Sequence, residues 1–419
     1  MLVSLKFNNA FIFSRETNFS LKADMRNKRL SSNVMELASD NVLKSACVYG
    51  SNNSGKTCLV RVIRSLRNVI LSRPSDISPN LFSNNPVVSI SCVFVQDEKE
   101  WEYSFSLNMA SLEFLYERFV RIDYDKYNNP KAEIYFERDF INQKFYSKDA
   151  VLNQSLPLMG RTNILIHVVD VSTLQYLREA RQILITFASK IVFVDMNNIP
   201  LNQTVALLKN HDAMQKDIVS FIKNADLDLE DFKYIDTEIP APKQEFPQQN
   251  PSEDVIAMKI QQSFEDSLRL TSVYKGVQVP SLLFDSTGTK KIAALASYVV
   301  TALKKGLILV VDELDSSIHF KLTRSIVSMF NNELNDKAQL IFTAHDVSLM
   351  DCKKLFRKEQ IWFVHKDDDG VYLYSLASFT AEEGVRETTD IIEKYKRGVL
   401  GAIPEPDMLK TLLQVKNEK

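Results

Sequence analysis

The stretch Gly50-Ser51-Asn52-Asn53-Ser54-Gly55-Lys56-Thr57 reads G-x-x-x-x-G-K-[ST], the spacing of a phosphate loop. Small residues let backbone N–H groups curl around phosphate oxygens, and a following helix points its positive end at them. In that chemistry Lys56 bridges the β- and γ-phosphates of a nucleotide, and the Thr57 hydroxyl ligates Mg²⁺. A second constellation is Gly306-Leu307-Ile308-Leu309-Val310-Val311-Asp312-Glu313, an apolar run ending in two carboxylates. Asp312 is placed to hold Mg²⁺, usually through water, and Glu313 to polarise an attacking water. Acidic pairs also end strands by chance, so this pair gains its weight from the phosphate loop.

Two further pieces matter. Phe284-Asp285-Ser286-Thr287-Gly288-Thr289-Lys290-Lys291 precedes a helical pattern over 291–304. Ser286 and Gly288 open that helix as an anion site would, or as a plain N-cap. Gln339-Leu340-Ile341-Phe342-Thr343-Ala344-His345-Asp346 is another apolar run, ending in a histidine that is open to a core reading as well.

These groups need elements to hold them. Ala46, Cys47, Val48 and Tyr49 supply a strand before the phosphate loop. A helix over 58–72 follows, with Leu59, Val62, Ile63, Leu66 and Ile70 on its apolar face. Arg61, Arg64 and Arg67 lie on another face, which reads as solvated or inter-domain before it reads as a DNA patch. The basic run Arg26-Asn27-Lys28-Arg29 reads the same way, as a solvated loop first.

Residues 2–7 and 18–22 alternate like paired strands, and 88–107 forms a hairpin about Asp97-Glu98. A second hairpin joins Phe119–Tyr124 to Ala132–Phe136 around Asn128-Asn129-Pro130. After residue 140 the pattern turns helical, most clearly over 173–190, where Ser172 or Thr173 is available as a cap. The four prolines of 239–252 mark a linker.

At 419 residues two or three domains are expected, one of them inserted in another. A charged fraction of 25% and a net charge of −2 describe a soluble globular protein with no global signature of nucleic-acid binding. Cys47, Cys58, Cys92 and Cys352 are scattered, as thiols in a reducing compartment are, with neither zinc nor disulfide spacing. No signal-peptide pattern opens the sequence, and no apolar run approaches the roughly 18 residues of a membrane span. The expectation is a cytoplasmic protein with no membrane contact. No N-K-x-D guanine motif is present, which favours adenine.

The order phosphate loop, small-residue helix start, Asp-Glu strand, Leu314-Asp315 and strand–His is that of ABC-type ATPases. On Gly50–Thr57, Ser286-Thr287-Gly288-Thr289, Val311-Asp312-Glu313-Leu314-Asp315-Ser316-Ser317-Ile318-His319 and Phe342-Thr343-Ala344-His345-Asp346, the chain resembles the OLD-like and RloA-type members. Those ATPases are related to the SMC and RecF heads and are common in bacterial phage-defence loci. Gln360–Val364 and the tail Lys394–Gly398 with Gly401–Pro404 look like the family's C-terminal segments, so the likeness spans nearly the whole chain and is weakest across 140–255.

The resemblance implies an α/β fold: an ABC-type ATPase head with a P-loop NTPase mixed sheet, flanking helices, an antiparallel β lobe and an inserted α-rich region. The head is expected in two parts, 1–110 and 256–375, with the insertion at 111–255 and a helical tail at 376–419. It implies ATP and Mg²⁺ as cofactors, held by Gly50–Thr57 and, for the metal, by Thr57 and Asp312. Ser286, Gly288, Thr289 and Asp315 would contact the nucleotide, and Glu313 and His345 would be catalytic. In such ATPases two heads sandwich two ATPs, each bound by one phosphate loop and the other head's signature, so a homodimer or higher homo-oligomer is implied.

Three features depart from the pattern. Thr287 stands where transporter ATPases have Gly, Phe320 stands where many relatives have Pro, and the Q-loop glutamine has no assigned place, Gln96 being the available candidate.

An SMC-type protein needs hundreds of heptad residues between Gly55 and Ser286, where only about 230 residues lie. An OLD nuclease needs a metal-dependent domain beyond the ATPase, whereas 74 residues follow His345. Their acidic cluster Asp367-Asp368-Asp369-Gly370 reads as a hairpin turn. The expectation is therefore an ATPase sensor subunit of an antiphage or abortive-infection system, with a separately encoded nuclease or toxin as effector. The alternative is a DNA-repair or DNA-binding ATPase of RecF or SMC type, and a free-standing NTPase is a third.

Overall fold

A computed structural model describes the chain except residues 38–40, 74–75, 126, 128, 226–227, 237–260, 381, 383–384, 386–388, 403–407 and 418–419. The expected linker at 239–252 lies outside the described residues. The chain forms two compact units, one of 1–191 with 341–419 and one of 192–340.

In the first unit, alternation of apolar and polar residues builds a seven-stranded antiparallel sheet. Its order is Lys144–Ser147, Pro130–Asp139, Glu113–Tyr124, Lys99–Asn108, Val87–Gln96, Leu2–Asn8 and Thr17–Ser20. Both expected hairpins are present, and Asp97 and Glu98 turn the first with φ of 52° and 59°. The expected boundary at 110/111 falls inside this sheet, because Glu113–Tyr124 is hydrogen-bonded along Lys99–Asn108. Its inward face carries Phe94, Trp101, Phe105 and Phe119, and Phe187 of the helix Gln175–Ser189 stacks on Phe94 at 3.9 Å.

That helix is not capped by Ser172 or Thr173 as expected. The Asp149 carboxylate accepts from the amides of Tyr176 and Leu177 at 3.2 and 2.8 Å, from far back in the chain. The strand Ser45–Tyr49, buried at every residue, runs parallel to Ile361–Asp367, which turns back antiparallel as Gly370–Ser375. Continuous burial suits a parallel strand covered on both faces. The turn between them is closed by the Asp367 carboxylate, which accepts from the amides of Asp369 and Gly370.

The second unit takes in all but the first residue of the strand Ile191–Asp195, which neighbours Ile308–Asp312, and the Met196 amide donates to the Asp312 carbonyl at 3.1 Å. The helix Thr287–Lys305 is the core element here. Ala293, Ala296 and Val300 pack with Val205, Leu208, Ile218, Ile222 and Phe232 from shorter helices and a strand. Gly306 ends the helix in the left-handed region at φ 65°, where a Cβ costs most. A three-stranded antiparallel sheet of Asp231–Tyr234, Leu270–Tyr274 and Val277–Pro280 completes the unit. Among the described residues, no helix is long and apolar enough to cross a membrane.

Candidate nucleotide-binding and catalytic groups

The phosphate loop joins the end of Ser45–Tyr49 to the helix Lys56–Ile70 in the first unit. Leu59, Val62, Ile63, Leu66 and Ile70 are buried, so the helix is fixed by its apolar face and its N-terminus is held at the loop. Asn53 and Gly55 take φ of 60° and 116°, which curls the backbone amides into a concave nest suited to an anion. A Cβ on Gly50 would stand 2.5 Å from both the Ser54 hydroxyl and the Val364 carbonyl, so only glycine lets the chain pass there.

Lys56, 7% exposed as a residue, donates from its ammonium to the carbonyls of Gly50 and Ser51 at 2.8 and 3.1 Å. Ser54 Oγ is buried and makes no hydrogen bond among the described residues. A nest of amides, a centred ammonium and an unsatisfied hydroxyl are what a nucleotide's phosphates require. The residues present fit that group.

His345 lies in the same unit. The Ala344 amide donates to the Val48 carbonyl at 3.2 Å, which sets the histidine beside the end of the phosphate-loop strand. It is exposed and so is no core histidine, while Asp346 caps the short turn after it by accepting from the Ser348 amide. Gln96 is buried at a hairpin end, where its amide group is taken by Asp97 and by the Lys190 ammonium at 2.9 Å. Arg61 stacks on Phe11 and pairs with Asp76, and Arg26 pairs with Asp24.

Ser286, Gly288, Thr289, Asp312, Glu313 and Asp315 fall in the second unit. Ser286 caps the helix Thr287–Lys305: its hydroxyl accepts from the Thr289 amide at 3.1 Å and shares a hydrogen bond with Thr289 Oγ1 at 2.9 Å. A Cβ on Gly288 would come 2.9 Å from the Ser317 carbonyl, so this glycine admits the loop after the acidic strand. Asp312 ends its strand, and Glu313 follows in the left-handed region at φ 56°, with Ser317 also left-handed at 63°. Non-glycine residues hold such backbone only where their surroundings enforce it, at roughly 1–3 kcal/mol each. Phe320 occupies the first position of the helix Phe320–Asn331, where proline is favoured, with His319 Nδ1 accepting from the Lys321 amide at 3.4 Å.

Three residues near these groups escape a motif reading. Asn197 donates from Nδ2 to Glu313 Oε2 at 2.9 Å, and Lys291 reaches Ser316 and Ser317. Asp285, just before the cap, accepts from the hydroxyls of Ser272 and Ser281 at 2.6 Å and of Tyr274 at 2.8 Å. Burial, and then the Asp285 carboxylate, push the Tyr274 phenol up to about 12. The only sequence signal for Asn197 is the β-branched and aromatic run Ile191-Val192-Phe193-Val194 that leads into an Asp-Met-Asn-Asn turn.

No curated protein matches the sequence. Among solved structures, the SMC head domain from Thermotoga maritima aligns at 12% identity with a TM-score of 0.43, covering 89% of this chain and 98% of that one. An SMC head bound to the C-winged helix domain of ScpA aligns at 10% identity with a TM-score of 0.45, covering 92% and 99%. The model of the family described as "AAA domain, putative AbiEii toxin, Type IV TA system" matches residues 45–351, well over half of the chain. The chain, a P-loop ATPase by fold, belongs to that family.

Proposed function

We propose that the protein hydrolyses ATP at a head-to-head dimer interface and acts as the sensor or regulatory subunit of an antiphage or abortive-infection system. The observation that carries the reading is the phosphate loop, whose nest, centred Lys56 ammonium and unsatisfied Ser54 hydroxyl suit a triphosphate. Abortive infection is supported by the family to which the chain belongs, that of the AAA domain and putative AbiEii toxin. Gly50–Thr57 bind the phosphates, Thr57 and Asp312 are the Mg²⁺ ligands, Glu313 orients and deprotonates the water, and His345 meets the charge that develops on the γ-phosphate. Mg²⁺, when bound, neutralises charge on the transferring group. Ser286, Gly288, Thr289 and Asp315 serve the nucleotide of the partner head, so each composite site needs two copies of the chain.

The output is geometric. ATP closes the heads, hydrolysis separates them, and a separately encoded nuclease or toxin reads the difference. The test is ATP turnover and sedimentation of the wild-type protein with and without ATP, beside purification with the products of adjacent genes. Absence of ATP-dependent dimerisation at any concentration would remove the sandwich. Salt-sensitive DNA binding by the closed dimer, with no co-purifying partner, would favour the DNA-repair reading instead.

A further inference from the structure

Glu313 is not left to find its own orientation. The Asn197 amide nitrogen donates to its Oε2 at 2.9 Å, and the Asn197 amide oxygen accepts from the Ser316 hydroxyl at 2.9 Å. Ser316 Oγ in turn accepts from the Lys291 ammonium at 3.2 Å, and the same ammonium reaches the Ser317 hydroxyl at 3.1 Å. The directions are forced. An ammonium only donates and an ionised carboxylate only accepts, so the amide nitrogen must face Glu313 and the Ser316 proton must face Asn197.

The loop that carries Asn197 is itself tied down. Asp195 Oδ1 accepts from the Asn197 amide at 2.9 Å, Asp195 Oδ2 accepts from Asn198 Nδ2 at 3.3 Å, and the Met196 amide bonds the Asp312 carbonyl. At the other end Lys291 belongs to the helix that Ser286 opens, and Gly288 of that helix lies against the Ser317 carbonyl. The left-handed backbone at Glu313 and Ser317 is the strained segment that this network spans.

We propose that Asn197 is a positioning residue for Glu313 and the last link of a relay, Lys291–Ser316–Asn197–Glu313, that ties the orientation of the carboxylate to the signature helix. Occupation of Ser286–Thr289 by the partner head's nucleotide then bears on Lys291 and, through Ser316 and Asn197, on the carboxylate. An unengaged signature helix leaves the carboxylate misaligned, and the two sites of the dimer are thereby coupled. The inference rests on Glu313 being the group that activates water, as proposed above.

Asn197→Ala tests it in the full chain with ATP and Mg²⁺, by single-turnover hydrolysis beside ATP affinity. Misplacing a catalytic group costs up to about 10²-fold in rate, so hydrolysis should fall by that order while the Kd for ATP stays unchanged. A purely structural loss would move affinity and thermal midpoint as well. Ser316→Ala should slow the same step, and the double variant should be no slower than Asn197→Ala alone. Should Asn197→Ala not fold, Asn197→Ser carries the test, since its hydroxyl is too short to reach Glu313. Wild-type turnover in Asn197→Ala while Glu313→Gln is inert overturns the relay, as does full additivity of the two single losses. Normal turnover in Glu313→Gln removes the base assignment itself and the relay with it.

Discussion

The Lys56 ammonium donates to the Gly50 carbonyl at 2.8 Å, so the loop's own backbone holds the side chain over the nest that its amides form. The cation is positioned before any phosphate arrives. Removing it takes away charge-assisted hydrogen bonds worth about 1.5–3 kcal/mol each, which is roughly tenfold to over a hundredfold in affinity. Lys56→Ala should therefore fold, with ATP affinity reduced by at least that much and hydrolysis absent. Calorimetric titration with ATP and Mg²⁺ checks it, and an unchanged Kd would remove the phosphate-loop assignment.

Ser286 should act on the partner's nucleotide. Within its own copy its hydroxyl caps a helix by accepting from the Thr289 amide. Ser286→Arg should leave ATP binding by the single copy intact while stopping hydrolysis. Gly288→Asp is the less clean variant, because any Cβ there presses on the Ser317 carbonyl. Mixing Ser286→Arg with Lys56→Ala restores one composite site per mixed dimer. Hydrolysis should return on mixing, and its failure to return in mixed dimers shown to form would count against the sandwich.

Asp149 supplies the cap of the helix Gln175–Ser189 across more than two dozen residues. Loss of a capping side chain costs about 0.5–2 kcal/mol. Asp149→Ala should lower the denaturant midpoint accordingly and leave ATP affinity alone, whereas Ser172→Ala should change neither quantity.

That cap also marks what the sequence reveals. The phosphate loop was legible because its strand and helix are adjacent and each announces itself, through Ala46–Tyr49 and through the spacing of Leu59 to Ile70. The hairpins were legible for the same reason, since Val88–Val95 and Trp101–Leu107 alternate about a two-residue turn. Asp149 was invisible because nothing local distinguishes a carboxylate that caps a distant helix from one in solvent. Ile191–Asp195 was missed because it follows directly on a helix and spans five residues, too few to separate the strand period from the helical one. Asn197 came with it: only the pairing with Ile308–Asp312 gives that turn its neighbour Glu313. Ser286 reads both as a cap and as an anion site, and the structure shows the cap.

The two carboxylates and the histidine should separate by role. Asp312 closes a buried strand, and as a metal ligand its replacement by Asn should weaken Mg²⁺-dependent ATP binding. Glu313 sits one residue on, with its backbone turned to φ 56° and its carboxylate held by Asn197. Glu313→Gln keeps an acceptor for the Asn197 amide, so the geometry survives and only the base is lost. ATP and Mg²⁺ binding should then be nearly unchanged, while hydrolysis falls by about 10² to 10⁴, or roughly 3–5 kcal/mol of barrier. With chemistry blocked and nucleotide bound, the Gln variant should hold the heads closed, visible as an ATP-stabilised dimer in sedimentation. His345→Ala should slow hydrolysis with ATP affinity largely retained, because an exposed side chain at a strand end can be trimmed without opening the core. If closure is the signal, Glu313→Gln and Lys56→Ala fix the protein in opposite states toward its effector. The deciding measurement is single-turnover hydrolysis beside ATP affinity for both acidic variants. A normal rate in Glu313→Gln would show that another group activates the water.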